Sequence, residues 1–423
     1  FIFNFLSKKP FNSLNLERVM MEAFVGFPKR EVQTIGLIGF AHLLSHVYML
    51  ALAPLAPSLI KDLNITAVDW GVVLAVFAIF TGIFQTPMGL LVERLGGRKV
   101  LIFGLILNAA GFLLIGAFVS SYWTILIFIA LAGIGNSVFH PADYSLLSAS
   151  VGNQRMGRAF SIHTFVGHIG FILGPILTTI LEPFFGWRGA IMILGAAGLL
   201  VAVLLIACRV IITEGKTIQK KASVRESLRD LLASKPILLF FTFYMLSSLA
   251  NFGITQFSIL ALQPMYGLEK IAVVGALTAY QVGALLLVLP GGILADKIRR
   301  YDTIILCGFG IAATGIFLVG TTLLAFWMVI PMLCLAGAVR GGVNATRDVA
   351  VRHVVLTLPV GTVFGFVTTG FLVGQAIGGV TYGYLFDNYL PNVIFYASSI
   401  FFVLAMFTIL FNPGTRRPVS VKE

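Results

Sequence analysis

The chain has 423 residues, 58% of them hydrophobic and 11% charged, with a mean hydropathy of +0.98. Soluble domains carry roughly 25% charged residues, so this sequence cannot cover itself with polar surface in water. A β-barrel is excluded too, because the apolar runs are long and unbroken rather than short and alternating, and the +12 net charge does not signal nucleic acid, because its distribution follows the sides of a membrane.

Twelve membrane-spanning helices are predicted in chain order, at 34–60, 69–92, 99–119, 122–148, 156–181, 188–211, 237–263, 271–295, 302–322, 325–346, 361–385 and 391–411. Residues 1–33 read as a cytoplasmic N-terminal segment, 34–211 as one six-helix half, 212–236 as a cytoplasmic linker, 237–412 as a second half and 413–423 as a cytoplasmic tail. The opening FIFNFLSKKPF is no signal peptide, its apolar part being too short and placed before the charges. Residues 1–19 precede the first methionine, Met20, and are expected to be a vector or start-site artefact. Of the 29 Lys and Arg residues, only Lys61, Arg188 and Lys270 fall outside, and Arg340 sits within a span. That asymmetry places both termini in the cytoplasm. Cys208, Cys307 and Cys334 all lie in spans, so no disulfide framework is implied. Trp70, Trp123 and Trp187, near outer ends, read as interfacial anchors.

An ionisable group inside a bilayer costs a few kcal/mol on insertion scales, so each one is a functional candidate. The first span carries His42 and His46, spaced i, i+4 on one helix face. The fourth contains GIGNSVFHPADYS (133–145), in which Gly133, Asn136, His140 and Asp143 follow i, i+3, i+7, i+10 as a single stripe. Pro141 removes a backbone hydrogen bond and frees the Ser137 carbonyl, allowing a bend beside the histidine. In the fifth, His163 shares a stripe with Gly167, Gly170 and Gly174, so that face should approach another helix closely, while His168 points elsewhere.

The second half repeats the first. PMGLLVER (87–94) matches PGGILADK (290–297), and GRAFSIHTFVGHIGFILG (157–174) matches GTVFGFVTTGFLVGQAIG (361–378) with shared glycines at 157/361, 170/374 and 174/378. The same offset of 204 carries the stripe of the fourth span onto Gly337, Arg340, Asn344 and Arg347 in the tenth. An acid-bearing and a basic stripe are therefore expected to face each other across a pseudo-twofold axis. Two parallel six-helix halves are a signature of secondary transporters, with the binding site between them near the midplane.

GLLVERLGGRKV (89–100) resembles the loop between helices 2 and 3 of the major facilitator superfamily, whose pattern is G-x-x-x-D-R-x-G-R-R/K. Gly89, Arg94, Gly96 and Lys99 lie on it, with Gly97 and Arg98 taken up as a one-residue slide, and Glu93 stands where Asp is usual. GILADKIRR (292–300), with Asp296, is the degenerate second copy. The resemblance spans residues 34–412. It implies an all-α integral membrane fold of twelve transmembrane helices in two six-helix pseudo-repeats, with helices 1, 4, 7 and 10 lining the cavity. It also implies cytoplasmic gating by Gly89, Glu93, Arg94, Gly96, Arg98, Lys99 and Asp296, joined by Arg347. The fourth span is similar to that of fosmidomycin-resistance-like bacterial permeases, which carry a comparable G-x-x-x-x-FHP run. GFILGP (170–175) resembles the core of the antiporter motif, although Thr178–Thr179 follows in place of two glycines.

These readings together lead to a secondary active transporter that moves a small organic, anionic or amphipathic solute by alternating access. Proton coupling falls to His140 with Asp143, and to His46 and His163, because histidine titrates near neutral pH. Drug–proton antiporters of the superfamily often couple through an arginine in helix 4. None is present here, so His140 replaces it or the coupling differs. Arg340, a delocalised charge well inside its span, is expected to hold the anionic part of the substrate. Asn136, His42, Asn344, Asn251, Gln256, Tyr280, Gln281 and Gln375 would supply polar contacts.

Blander roles stand beside these: His42 and His46 as neutral histidines bonded across helices, His168 as structural, Asp143 and Arg347 as gate salt bridges. Export is favoured by the helix-4 and GFILGP resemblances. The alternatives are uptake of an organic acid, sugar or metal chelate, or a non-transporting assembly or receptor role. No nucleophile–base constellation, P-loop or dinucleotide fingerprint appears, so no enzyme activity and no cofactor are expected. No metal site is expected either, since a hard-ion site wants several carboxylates and the spans have almost none. The expected partners are a small-molecule substrate, protons and membrane lipid, for a monomer in a bacterial inner membrane.

Overall fold

A computed structural model describes residues 26–208, 231–297, 300–354 and 360–412. Most of the expected N-terminal segment, linker residues 212–230 and the 413–423 tail lie outside them. Among the described residues, eleven helices are long and apolar enough to cross a membrane. One of them, Met156–Ala207, has 52 residues, roughly 78 Å at 1.5 Å per residue and more than twice a ~30 Å hydrocarbon core. Gly186 divides it, with φ 64° and ψ 172°, a backbone conformation that glycine alone adopts without strain. Its two legs complete the twelve spans predicted from the sequence.

In order, the helices are α1 (Lys29–Leu63), α2 (Ala67–Leu95), α3 (Gly97–Phe118), α4 (Tyr122–Ser150), α5 (156–185), α6 (187–207), α7 (Lys235–Tyr266), α8 (Lys270–Lys297), α9 (Tyr301–Gly320), α10 (Phe326–Val354), α11 (Val360–Asn388) and α12 (Val393–Leu410). Three helices that matter for the site are not continuous. Helix α1 passes through a 3₁₀ turn at Ala53–Leu55, where Pro54 and Pro57 remove two backbone donors. Helix α7 has a π turn at Gly253–Phe257, at the place in the second half that corresponds to the α1 break. Helix α4 is interrupted at Ser137 and Val138.

Lipid tails are as apolar as leucine, so helices in a membrane associate through close packing rather than hydrophobic exclusion. The repeated glycines supply that packing in both halves. Gly170 and Gly174 of α5 lie against the carbonyls of Leu43 and Val47 in α1, and Gly374 and Gly378 of α11 lie against Met245 and Phe252 of α7. The shared Gly157 meets nothing and has no such role.

The halves meet through α2 with α11, α5 with α8, and the two interrupted segments of α1 and α7. Residues 26 and 412 mark the near end of the bundle. Contacts at the opposite, far end pin the halves together. Glu182 of α5 accepts hydrogen bonds from Ser58 at 2.5 Å and from Lys270 of α8 at 2.6 Å. Asp387 of α11 accepts the N–H groups of Ala67 and Val68 at 3.0 and 2.8 Å. It thus satisfies two of the free donors at the start of α2 and meets the positive end of its dipole. Asp387→Ala should weaken the closed far end by about 1 kcal/mol, as loss of a helix cap does. A cysteine placed at Gln375 should then be labelled several-fold faster from that side, and an unchanged rate would refute this role.

Candidate functional site

The polar residues of the fourth span lie on either side of the α4 interruption. Pro141 cannot donate to the Ser137 carbonyl, so the hydrogen-bond ladder is broken at Ser137 and Val138, although both residues keep right-handed helical backbone angles. The residues of the stripe expected from i, i+3, i+7 spacing meet different helices on the two sides of that point. Asn136, before the break, donates to Thr81 Oγ1 of α2 at 3.4 Å. His140, after it, is exposed. Asp143 is fully buried, turned away from the second half and toward α1 and α5.

That turn corrects the expected pairing of Asp143 with His140. Its Oδ2 lies 3.2 Å from His42 Nδ1 and 3.5 Å from His163 Nε2. His42 is 3% exposed and His163 1% exposed, so all three groups are out of water. Apart from those two imidazoles, neither Asp143 oxygen has a hydrogen-bond partner among the described residues. The glycine face of α5 makes the approach possible: a side chain on Gly167 would strike the His42 ring and the edge of His46.

The histidines form one aromatic group around this carboxylate. The His42 ring lies 4.0 Å from His163, 4.4 Å from His46 and 5.5 Å from His140, centroid to centroid. His46 stacks on Phe171 of α5 at 4.1 Å. Tyr144 closes the exposed side, 5.9 Å from His140 and 6.1 Å from His163. His168 stands apart, its Nδ1 2.9 Å from the Thr164 carbonyl in its own helix.

The second half presents two polar groups. In the first, the Arg340 guanidinium lies over the Tyr280 ring, 5.0 Å from its centroid, with a long 3.5 Å contact to Gln281 Oε1. The Tyr280 hydroxyl donates to Asn251 at 2.9 Å, so four residues named from the sequence are joined, while buried Arg340 Nε has no partner among the described residues. The second group lies nearer the near end. Arg347 pairs with its neighbour Asp348 at 2.9 Å, donates to Asn344 at 3.3 Å and sits 3.7 Å over the Tyr244 ring. The Tyr244 hydroxyl donates to Asp348 at 2.5 Å. Sequence spacing missed Asp348 and Tyr244, because neither falls on the Arg340–Asn344–Arg347 stripe; the acid next to an intramembrane arginine was the available signal.

A cavity between the halves is lined by Tyr48, Phe77 and Phe112 on one side and by Phe252, Gln256 and Gln375 on the other. Gln256 also donates to the Met49 carbonyl of α1 at 3.0 Å. Its wall is aromatic with two amides, and its open volume of about 30 Å³ is room for about one water molecule in this conformation.

The residues expected to gate behave differently from one another. Glu93, Arg94 and Lys99 are exposed. Gly96 has φ 91°, which makes the one-residue turn from α2 to α3. Gly89 faces Pro141 of α4. Arg98 donates to the carbonyls of Leu205 and Ile206 at the end of α6, a contact within the first half. The Asp296 side chain lies outside the described residues.

Comparisons with known proteins agree with this architecture. The family model described as Major Facilitator Superfamily matches residues 38–277 and 266–423. The fosmidomycin resistance protein of Escherichia coli is 28% identical over 171 residues, which are 40% of this chain and 41% of that protein. An MFS-type transporter of Methanocaldococcus jannaschii is 25% identical over 341 residues, covering 79% of this chain and 86% of its own. A bacterial homologue of the human lysosomal transporter Spinster, solved inward-facing and occupied, superposes with a TM-score of 0.73 at 14% identity, over 92% of this chain and 97% of that one.

Proposed function

We infer that this chain, which belongs to the major facilitator superfamily, couples the movement of a small anionic or amphipathic organic solute to protons. One observation carries the reading: a fully buried carboxylate in the α4 span, with two imidazoles at 3.2 and 3.5 Å as its ion-pair neighbours among the described residues. A charge left there costs several kcal/mol, so the group holds a proton or shares one with an imidazole. His140, exposed and 5.5 Å from His42, is the step between that cluster and water.

The solute binds between the halves, where the aromatic cavity widens toward Arg340 as the halves rock apart. Its anionic end reaches Arg340, whose unpaired buried Nε needs an acceptor. With the basic residues on the cytoplasmic side, the near end is cytoplasmic and the far-end contacts close the outside. Outward movement is the favoured direction, since a fosmidomycin resistance protein is among the relatives. A monomer in a bacterial inner membrane suffices for this cycle.

The test is thermal stabilisation of the purified protein across a library of organic acids, drugs and chelates. A ligand stabilises whatever it binds, in proportion to the logarithm of its concentration over Kd. Anionic amphipaths should give the largest shifts. Arg340→Lys should weaken them about tenfold, because an ammonium cannot reproduce the planar fork stacked on Tyr280. Equal stabilisation of that variant would remove Arg340 from the site.

A further inference from the structure

The His42–Asp143–His163 group has a property that proton coupling does not require. One ligand atom from each of the three side chains lies within 4.8 Å of the other two. Zinc held tetrahedrally at 2.0–2.1 Å has ligand atoms about 3.3–3.4 Å apart. The two separations measured from Asp143 Oδ2, 3.2 and 3.5 Å, bracket that edge. We propose that these three side chains form a binding site for one borderline divalent cation of the zinc class, bridging α1, α4 and α5.

The donor set selects the ion. Two imidazoles and one carboxylate suit Zn²⁺, Co²⁺, Ni²⁺ or Cu²⁺, whereas Mg²⁺ and Ca²⁺ want oxygen alone. One carboxylate is enough for such an ion, which is why the scarcity of acids in the spans does not argue against it. Buried atoms that lack partners are the second, independent observation: both Asp143 oxygens, His42 Nδ1 and both ring nitrogens of His163 make no proper hydrogen bond. Each such group costs free energy until something satisfies it, and a single cation would satisfy three of them. His140 or His46 supplies the fourth position, their rings lying 5.5 and 4.4 Å from His42. The His42 and His163 rings are stacked with 27° between their planes, so both reach one ion only after fanning apart about their Cβ–Cγ bonds.

Background binding is unusually low in this chain. It has six histidines in all, four of them in this group, and the three cysteines lie elsewhere. The binding claim stands on the donor geometry. Its functional consequence, that an occupied site stops the coupled cycle, rests on the transport reading above.

The experiment uses the full chain, purified in detergent without a histidine tag and stripped with chelator. Zn²⁺ is titrated calorimetrically, and Co²⁺ is added separately as an optical probe. One equivalent of Zn²⁺ should bind with micromolar or tighter Kd, and Co²⁺ should show the intense visible bands of four-coordinate N/O ligation. Asp143→Asn and His163→Gln should each weaken Zn²⁺ at least about tenfold, while His168→Gln, whose ring bonds its own helix at Thr164, binds as the parent does. Size-exclusion profile and metal-free Tm establish that each variant is folded.

Three results would overturn the site: no saturable binding near one equivalent, a six-coordinate Co²⁺ spectrum in the unaltered protein, or folded ligand variants that bind undiminished. The Co²⁺ spectrum decides the matter even if every variant fails to fold. Zn²⁺ binding in a protein whose flux ignores a pH gradient defeats the transport reading and leaves this site intact. Proton-driven flux without Zn²⁺ binding does the reverse.

Discussion

Asp143→Asn should reduce pH-gradient-driven solute accumulation to the level of protein-free liposomes, while facilitated exchange of solute persists. The amide keeps the volume of the carboxyl and can still bond an imidazole, so the helices stay packed. It cannot take up or release a proton, so the cycle loses its drive. His140→Gln should be milder. His140 lies on the exposed side of the cluster rather than in contact with the carboxylate, and water can take over its relay, so the rate falls but accumulation survives. The order of severity is the informative part. Spacing along α4 makes His140 the partner of Asp143, and on that basis the two variants would be equally damaging. The geometry puts His42 and His163 in that role instead.

Gly379→Leu should abolish transport by a different route. Gly71 of α2 and Gly379 of α11 approach so closely that a methyl group on either would overlap the carbonyl oxygen of the other. This contact joins the two halves and belongs to the packing of neither. Overpacking costs about 1–3 kcal/mol or more, which would depopulate the closed far end by roughly fivefold to over a hundredfold (1.4 kcal/mol per tenfold). The protein should remain folded, with transport lost and a cysteine at position 375 labelled rapidly from the far side. Gly283→Leu is the contrasting case. Its side chain would overlap the Cys334 carbonyl within the second half, so it should destabilise the fold itself. If Gly379→Leu transported normally, the α2–α11 contact would not be part of the cycle.

Much of the fold was legible in the sequence because it rests on properties that hold locally. The lengths of the apolar runs, the side of each lysine and arginine, and the repeat at an offset of 204 each act without regard to tertiary detail. Even the packing was partly legible: the glycine stripe below His163 announced a close helix, and α1 is that helix. The i, i+4 spacing of His42 and His46 placed their rings together, at 4.4 Å.

The site was less legible, for identifiable reasons. Periodicity places a stripe on one face of a helix but does not say which neighbour each residue of the stripe meets, and along α4 the neighbour changes from α2 at Asn136 to α1 and α5 at Asp143. Pro141 gave notice of the break but not of the direction in which Asp143 would turn. The far-end contacts were invisible because their partners are remote: Glu182 and Lys270 are 88 residues apart, and Asp387 and Ala67 are 320 apart. No local pattern pairs residues at such distances. Asp348 escaped because reading one face of α10 passes over the adjacent position, although that acid holds both Arg347 and Tyr244.

The central claim is that protons move with the solute through the His–Asp cluster. It is tested most directly by reconstituting the unaltered protein in liposomes, loading a solute found by stabilisation, and imposing a pH gradient across an otherwise unenergised membrane. The account predicts uphill solute movement that reverses when the gradient is reversed and stops when a protonophore collapses it. Flux of equal size and direction with and without the gradient would contradict it.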